Sequence, residues 1–265
     1  MLHLRSVLLA VLLTSAAPVW AEPPPAQIDL KQFQQATQID NVIVPVPAEI
    51  FLVLDKIGTV NWKGEMRDIE LKVGERHQIA LLLGTVIADG FVAVEATDRE
   101  KVKSIGRDVL KLAGAIGVRE SVLGRSNSII EKADQGDWMN VKREFDGALQ
   151  DVRNAMSELN DEQLAHLVSL GGWLRGTEVL TSVLNKNYSK DGADLLHQPQ
   201  LLAYFGSQIE SMPPPLRKAS LVDQIRRRLV EISPLIDGGE ISKQSVDKVH
   251  TITSDLVKSI LQKDA

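Results

Sequence analysis

The sequence predicts an all-α protein: a multi-helix array or bundle behind an extended Pro-rich N-terminal segment. Three observations predict it. From residue 75 almost to the C-terminus, apolar residues recur at the three- and four-residue steps of a helix face. Helix start and stop residues punctuate that stretch at short intervals. Strand signals are sparse, with aromatics at 4% and no Asn-Gly or Asp-Gly pair dividing two alternating runs.

Taken in order, Glu22-Pro23-Pro24-Pro25 is expected to be extended, because consecutive prolines favour polyproline geometry and donate no backbone hydrogen bond. Val42-Ile43-Val44-Pro45-Val46-Pro47 reads as extended chain lying on a surface, or as a short edge strand over Val42–Val46, where proline is tolerated. Residues 49–56 are a short helix candidate, followed by a Gly-punctuated stretch from Gly58 to Gly74 that contains Trp62. Glu75 to Ala96 places Ile79, Leu82, Leu83, Val86, Ala93 and Ala96 on one face. Thr97 with Glu100 forms a capping-box pattern opening a helix to about Ala115, and Gly117 stops it. Glu120 to Ala133 continues as helix. Gly136-Asp137 joins a helix-ending Gly to an N-cap Asp and launches Trp138 to Leu159. Asn160 with Gln163 reads as a second capping box, for a helix to about Leu184. Pro199 suits the first turn of a helix to Ser211, which Pro213-Pro214-Pro215 breaks. Leu216 to Ile232 and Ser242 to Gln262 close the chain, separated by Pro234 and Gly238-Gly239.

Leu83-Gly84-Thr85-Val86-Ile87 and Leu170-Gly171-Gly172-Trp173-Leu174 share a Leu-Gly core within two predicted helices. A mid-helix Gly costs about 1 kcal/mol against Ala, so its repeated use suggests close helix approach. A duplicated helical hairpin and chance similarity between two Leu-rich helices both explain the likeness.

The first 21 residues read as a secretory signal peptide. Met1-Leu2-His3-Leu4-Arg5 is a short positive start, Val7 to Leu13 an apolar run, and Val19-Trp20-Ala21 a small-residue exit before Glu22. The run is shorter than the roughly 20 residues that span a bilayer. No second apolar run of spanning length is expected, hence no transmembrane segment. The expected organisation is a signal peptide over 1–21, an extended Pro-rich segment over 22–48 and a single helical domain over 49–265, with a periplasmic address.

The 265-residue chain has 30 basic and 35 acidic residues, a net charge of −5, or −6 without the leader (29 against 35). That balance argues against binding nucleic acid by bulk charge. With no Cys, thiolate nucleophiles, Cys-type zinc sites and iron–sulfur clusters are excluded. No His-Glu-x-x-His, Gly-x-Ser-x-Gly, phosphate-binding Gly-rich loop or EF-hand pattern occurs. His77, His166, His197 and His250 show no ligand spacing, so no metal and no cofactor are expected. Arg119-Glu120-Ser121 is similar to the Glu-Ser dipeptide of lytic transglycosylases. That family's Gly-Ala/Leu-Met-Gln stretch is missing, and Val122-Leu123-Gly124-Arg125-Ser126-Asn127 follows instead, so no membership is claimed. Arg226-Arg227-Arg228 fans across roughly 200° of a helix and reads as a solvated face rather than an anion patch.

Asp89 and Arg175 stand out, because each interrupts an apolar stripe. Asp89 shares the spacing of Leu82, Val86, Ala93 and Ala96, and Arg175 that of Leu164, Val168 and Val179. A charge on a core stripe needs a partner, and the two helices are expected to pack so that these residues pair. As a structural ion pair they hold the core. As a polar ligand site they would have Trp173 as a stacking wall and His77 nearby. Two functions follow: a non-catalytic binding or interaction module of the cell envelope, recognising an envelope protein, or a small-ligand binder or hydrolase with a helix-lined cavity.

Overall fold

The structure, a computed structural model, describes the backbone of residues 37–39 and 42–44 and all of Leu54, 60–71 and 74–262. The signal peptide, the Pro-rich run and all of the helix candidate 49–56 except Leu54 lie outside the described residues; Leu54 is helical and fully buried. The protein is all-α. The strand alternative for Val42–Val46 is met in part: β1 (Thr37–Ile39) and β2 (Val42–Val44) pair antiparallel, Thr37 opposite Val44, and β2 runs beside a later helix, α8.

The helices are α1 (Trp62–Glu65), α2 (Arg76–Glu95), α3 (Arg99–Ala115), α4 (Arg119–Gln135), α5 (Trp138–Glu158), α6 (Glu162–Lys186), α7 (Lys190–Asp194), α8 (Pro199–Ser211), α9 (Pro214–Arg217), α10 (Ser220–Ile236) and α11 (Lys243–Leu261). They form two rings of four. In the first, α2, α3, α4 and α5 each pack on the next, and α5 returns to α2. In the second, α6, α8, α10 and α11 do the same, and α11 returns to α6. The rings meet along α2 and α6, the most extensive helix contact among the described residues.

Every joint in the first ring has the same construction. One or two residues past the end of each helix stands a left-handed residue: Thr97 (φ 51°), Gly117 (φ 94°), Gly136 (φ 70°) and Asn160 (φ 55°). Each joint carries the two Schellman bonds, as in Asp98 N–H to Ala93 C=O with Thr97 N–H to Val94 C=O, and Asp161 N–H to Met156 C=O with Asn160 N–H to Ser157 C=O. The expected capping boxes are therefore displaced by one residue. Thr97 and Asn160 end helices, and the caps fall to Asp98 and Asp161. Asp98 accepts from Lys101 N–H at 3.0 Å, whereas Asp161 makes no cap bond and pairs with Arg76 at 3.0 Å. Asp137 caps as expected, accepting from Asn140 N–H.

Three further differences have physical causes. α10 runs from Ser220 through Pro234 to Ile236, later than the expected Leu216–Ile232. Pro234 cannot donate the bond that residue 230 would accept, and Val230 is 67% exposed, so the proline falls on the solvent side of the helix where the loss is least costly. The short α9 takes Leu216 instead. Finally, α2 is long and apolar enough to cross a membrane by length and composition, contrary to the expectation that no such run follows the leader. It is apolar all round because it is the central helix, buried from Gln78 to Val94.

Gly84 and Gly171 set the central crossing. A Cβ on Gly84 would lie 1.8 Å from the Val168 carbonyl oxygen, and one on Gly171 would lie 2.0 Å from that of Leu81. The relation is reciprocal, since each glycine meets the carbonyl three residues before the other. Thr85 Oγ1 sits in the seam, donating to Leu81 C=O at 2.9 Å and reaching Gly171 C=O at 3.3 Å.

Candidate functional site

The close crossing brings the C-terminal half of α2 against the middle of α6, and there Asp89 and Arg175 meet. Arg175 Nε donates to Asp89 Oδ1 at 2.7 Å, with side chains 4% and 3% exposed. The pairing expected from the two interrupted stripes is present.

Its surroundings come from α1 and the residue pair that follows. Arg67 donates through Nε and Nη2 to Asp89 Oδ2, at 2.9 and 2.7 Å. Arg175 Nη1 donates to Glu178 Oε2 at 2.9 Å, and Arg175 Nη2 to the Glu65 carbonyl at 2.6 Å. Arg67 Nη1 lies 3.6 Å from the same Glu178 oxygen, closing a four-membered ring of alternating charge. Glu65 Oε1 accepts from Ser182 Oγ at 3.1 Å and from Lys186 Nζ. Three carboxylates thus face three cations, and α1 is strapped across both central helices.

Burial opposes the charge on Arg175, but Asp89 and Glu178 more than offset it and hold its pKa above the usual guanidinium value. Each nitrogen of that guanidinium donates to a carboxylate or a carbonyl. The arrangement suits a neutralised structural clamp, because a charge this deep is tolerated only when paired and fully hydrogen-bonded.

The other two expected site residues are elsewhere. Trp173 lies two residues from Arg175, about 200° around α6. Its Nε1 donates to Gln198 Oε1 at 3.0 Å, and its ring packs 5.7 Å from that of Phe205. It lines a small void of about 10 Å³ with Thr177, Leu180 and Ile236, room for one water at most. His77 sits in the first turn of α2, 12 residues and roughly 18 Å of helix from Asp89.

Sequence reasoning missed Glu65, Arg67, Glu178, Ser182 and Lys186. A signal existed for the last three: Arg175, Glu178, Ser182 and Lys186 step by three, four and four residues, a polar stripe along one face of α6. Nothing in the sequence brings residues 65 and 67 to that stripe.

The remaining candidates are accounted for locally. Arg226 and Arg227 share Asp223, Arg228 pairs with Glu231, and Arg226 also reaches Glu210 on α8, so each arginine of the run has a carboxylate partner close at hand. Glu120 is exposed in the first turn of α4. The histidines are dispersed: His166 Nδ1 bonds Tyr204 Oη, His197 Nδ1 lies 2.8 Å from Ile236 C=O, and His250 Nδ1 lies 3.1 Å from Thr181 Oγ1. Among the described residues no group of three or more His, Asp or Glu is placed to hold a metal. An open groove of about 520 Å³ lies between α10 and α11, with Leu235 and Ile252 among Glu231, Asp247 and Lys248.

The fold and clamp define an all-α protein of two four-helix rings fused through a glycine crossing. Comparison with protein-family models, with curated proteins and with solved structures gives no match to this chain.

Proposed function

We propose that the chain is an exported, soluble helical protein acting as a non-catalytic binding or interaction module of the cell envelope, and that its partner is a protein. The observation that carries this reading is the closed clamp. The buried charges that could have formed a reactive centre are spent on one another, so the clamp leaves none of its acids or bases free for chemistry. The signal-peptide pattern at 1–21 supports export. The groove between α10 and α11 supports recognition of a polypeptide, since it offers apolar Leu235 and Ile252 within a rim of mixed charge. Among the described residues Asp89 and Arg175 bond to Arg67, Glu178 and the Glu65 carbonyl, which favours the clamp over the alternative of a ligand cavity around them.

The test is site-specific photo-crosslinking in the native envelope, with the probe at Thr251 in the groove and a control probe at exposed Arg107 on α3. A discrete protein adduct from Thr251 alone, lost in Leu235→Glu, is expected. Absence of any adduct from Thr251, or equal adducts from both positions, would overturn the reading.

A further inference from the structure

The clamp divides along a plane. On one side α2 and α6 carry Asp89, Glu178, Arg175 and Lys186, two carboxylates with two cations; on the other the strap carries Glu65 and Arg67, one of each. Each side is neutral by itself, so parting them strands no net charge, as a strap of a single sign would. The α2–α6 side also keeps a pairing of its own, with Arg175 on Asp89 at 2.7 Å and on Glu178 at 2.9 Å. What crosses the plane is a recognition set. Arg67 donates twice to Asp89, at 2.9 and 2.7 Å, and the Glu65 carbonyl takes Arg175 Nη2 at 2.6 Å. Glu65 Oε1 takes Ser182 and Lys186, and Trp62, 9% exposed, anchors the strap in the core. At the rim Asp68 meets Lys101 of α3 at 2.9 Å. The entry to α2 at Glu75 is extended and makes no side-chain cap bond, so the strap can be redirected there without breaking a cap.

We infer that the α2–α6 face of the clamp is an interaction surface for a second copy of this chain, which delivers its own strap there in exchange. The occupant follows from what the surface already binds: an aromatic anchor, then an acid and an arginine two residues apart, here Trp62, Glu65 and Arg67. A second copy brings that segment unaltered. Reciprocal exchange re-forms every contact of the clamp, so closed monomer and exchanged dimer differ in the joint and in association entropy, and concentration sets their balance. Leu54 and β2, which precede the strap, travel with it to the core and the α8 of the second copy. Each clamp of the dimer is then completed by Glu65 and Arg67 from the other copy. The surface is separate from the α10–α11 groove and does not depend on the function proposed above.

The experiment mixes full chains of natural and heavy-isotope composition, opens them in urea and returns them to buffer at about 1 mM, the order of the local concentration a short tether imposes. Monomer and dimer are separated by size and treated with a carbodiimide, which joins a carboxylate to a neighbouring ammonium without a spacer. Glu65 and Lys186 are in contact, so their linked peptides report whose strap sits on whose helices. Peptide mass spectrometry of the dimer is expected to find mixed-isotope Glu65–Lys186 links beside same-isotope ones, and of the monomer only same-isotope links. A dimer joined through another surface, the α10–α11 groove included, gives same-isotope links alone. On dilution the dimer should return to monomer, and Arg67→Gln should speed that return by about tenfold or more, the equivalent of one charge-assisted hydrogen bond. The isotope test needs only the native chain, so it stands if the variant folds poorly. No dimer at the high concentration, a dimer without mixed-isotope Glu65–Lys186 links, or an unaltered return rate in a folded Arg67→Gln would overturn the proposal.

Discussion

At the scale of single residues, two buried or part-buried acids behave in opposite ways. Asp89 is held by two arginines, so Asp89→Ala leaves Arg67 and Arg175 competing for Glu178 and is expected to destabilise by about 3 kcal/mol. Replacing Asp89 by Leu and Arg175 by Met together should cost well under the sum of the single changes, because Arg67 and Glu178 still neutralise each other at 3.6 Å. Urea denaturation of the cycle reads this, and strict additivity would refute the clamp. Among the described residues Asp108 has no such partner: burial raises its pKa, and Lys111, Arg107 and Lys101 offset this incompletely. A carboxyl with a raised folded pKa is a liability while ionised, so the penalty is present above that pKa and gone below the ordinary 3.8. Asp108→Asn should therefore stabilise at pH 7, with the gain shrinking as pH falls toward 3.8, and a constant gain across that range would contradict it. Asp89 and Arg175 were legible in the sequence because each breaks an apolar period. Glu65 and Arg67 were not, because their place depends on a strap whose contacts are wholly tertiary.

At the scale of elements, the glycines fall into two kinds. Gly84 and Gly171 admit a backbone where a side chain would stand, so Gly84→Ala forces α2 and α6 apart and should cost about 3 kcal/mol or more. Gly124 lies mid-helix in α4 with nothing within 4 Å of an added Cβ, and Gly124→Ala should stabilise by up to about 1 kcal/mol. Thermal unfolding of both variants separates the cases, and similar losses would mean the crossing is not close-packed. Mid-helix Leu-Gly pairs were readable as a sign of close approach; the reciprocal contact was not, since it needs the register of one helix on the other. The joints were misread by one residue for a local reason. Thr and Asn are good N-caps, but here the preceding helix claims Thr97 and Asn160 in the left-handed conformation, where Asn is tolerated and a β-branched residue is uncommon.

At the scale of the whole molecule, helix periodicity and stop signals were enough for the all-α class, while the two-ring arrangement follows from which helices return to which, a property no local pattern carries. The reciprocal Gly84–Gly171 contact joins the first helix of one ring to the first helix of the other. Export is expected to leave a mature chain beginning at Glu22, and N-terminal sequencing of envelope-derived protein checks it: an intact Met1 would remove the basis for the envelope assignment.

Under the export proposed above, the central helix has a consequence for the journey as well as the destination. A chain threaded unfolded through a translocon presents α2 before the rest of the core exists to cover it, and by length and composition this segment resembles a stop-transfer sequence. One carboxylate near the middle of a spanning segment opposes lateral insertion by about 3 kcal/mol on translocon scales, and Asp89 is the acid in the interior of α2. The residue that locks the folded core would then also keep the nascent segment out of the lipid. The double substitution of Asp89→Leu with Arg175→Met preserves charge balance in the folded clamp but removes that barrier. Its expected signature is a fraction of the protein resisting alkaline carbonate extraction from membranes while the native chain is fully released.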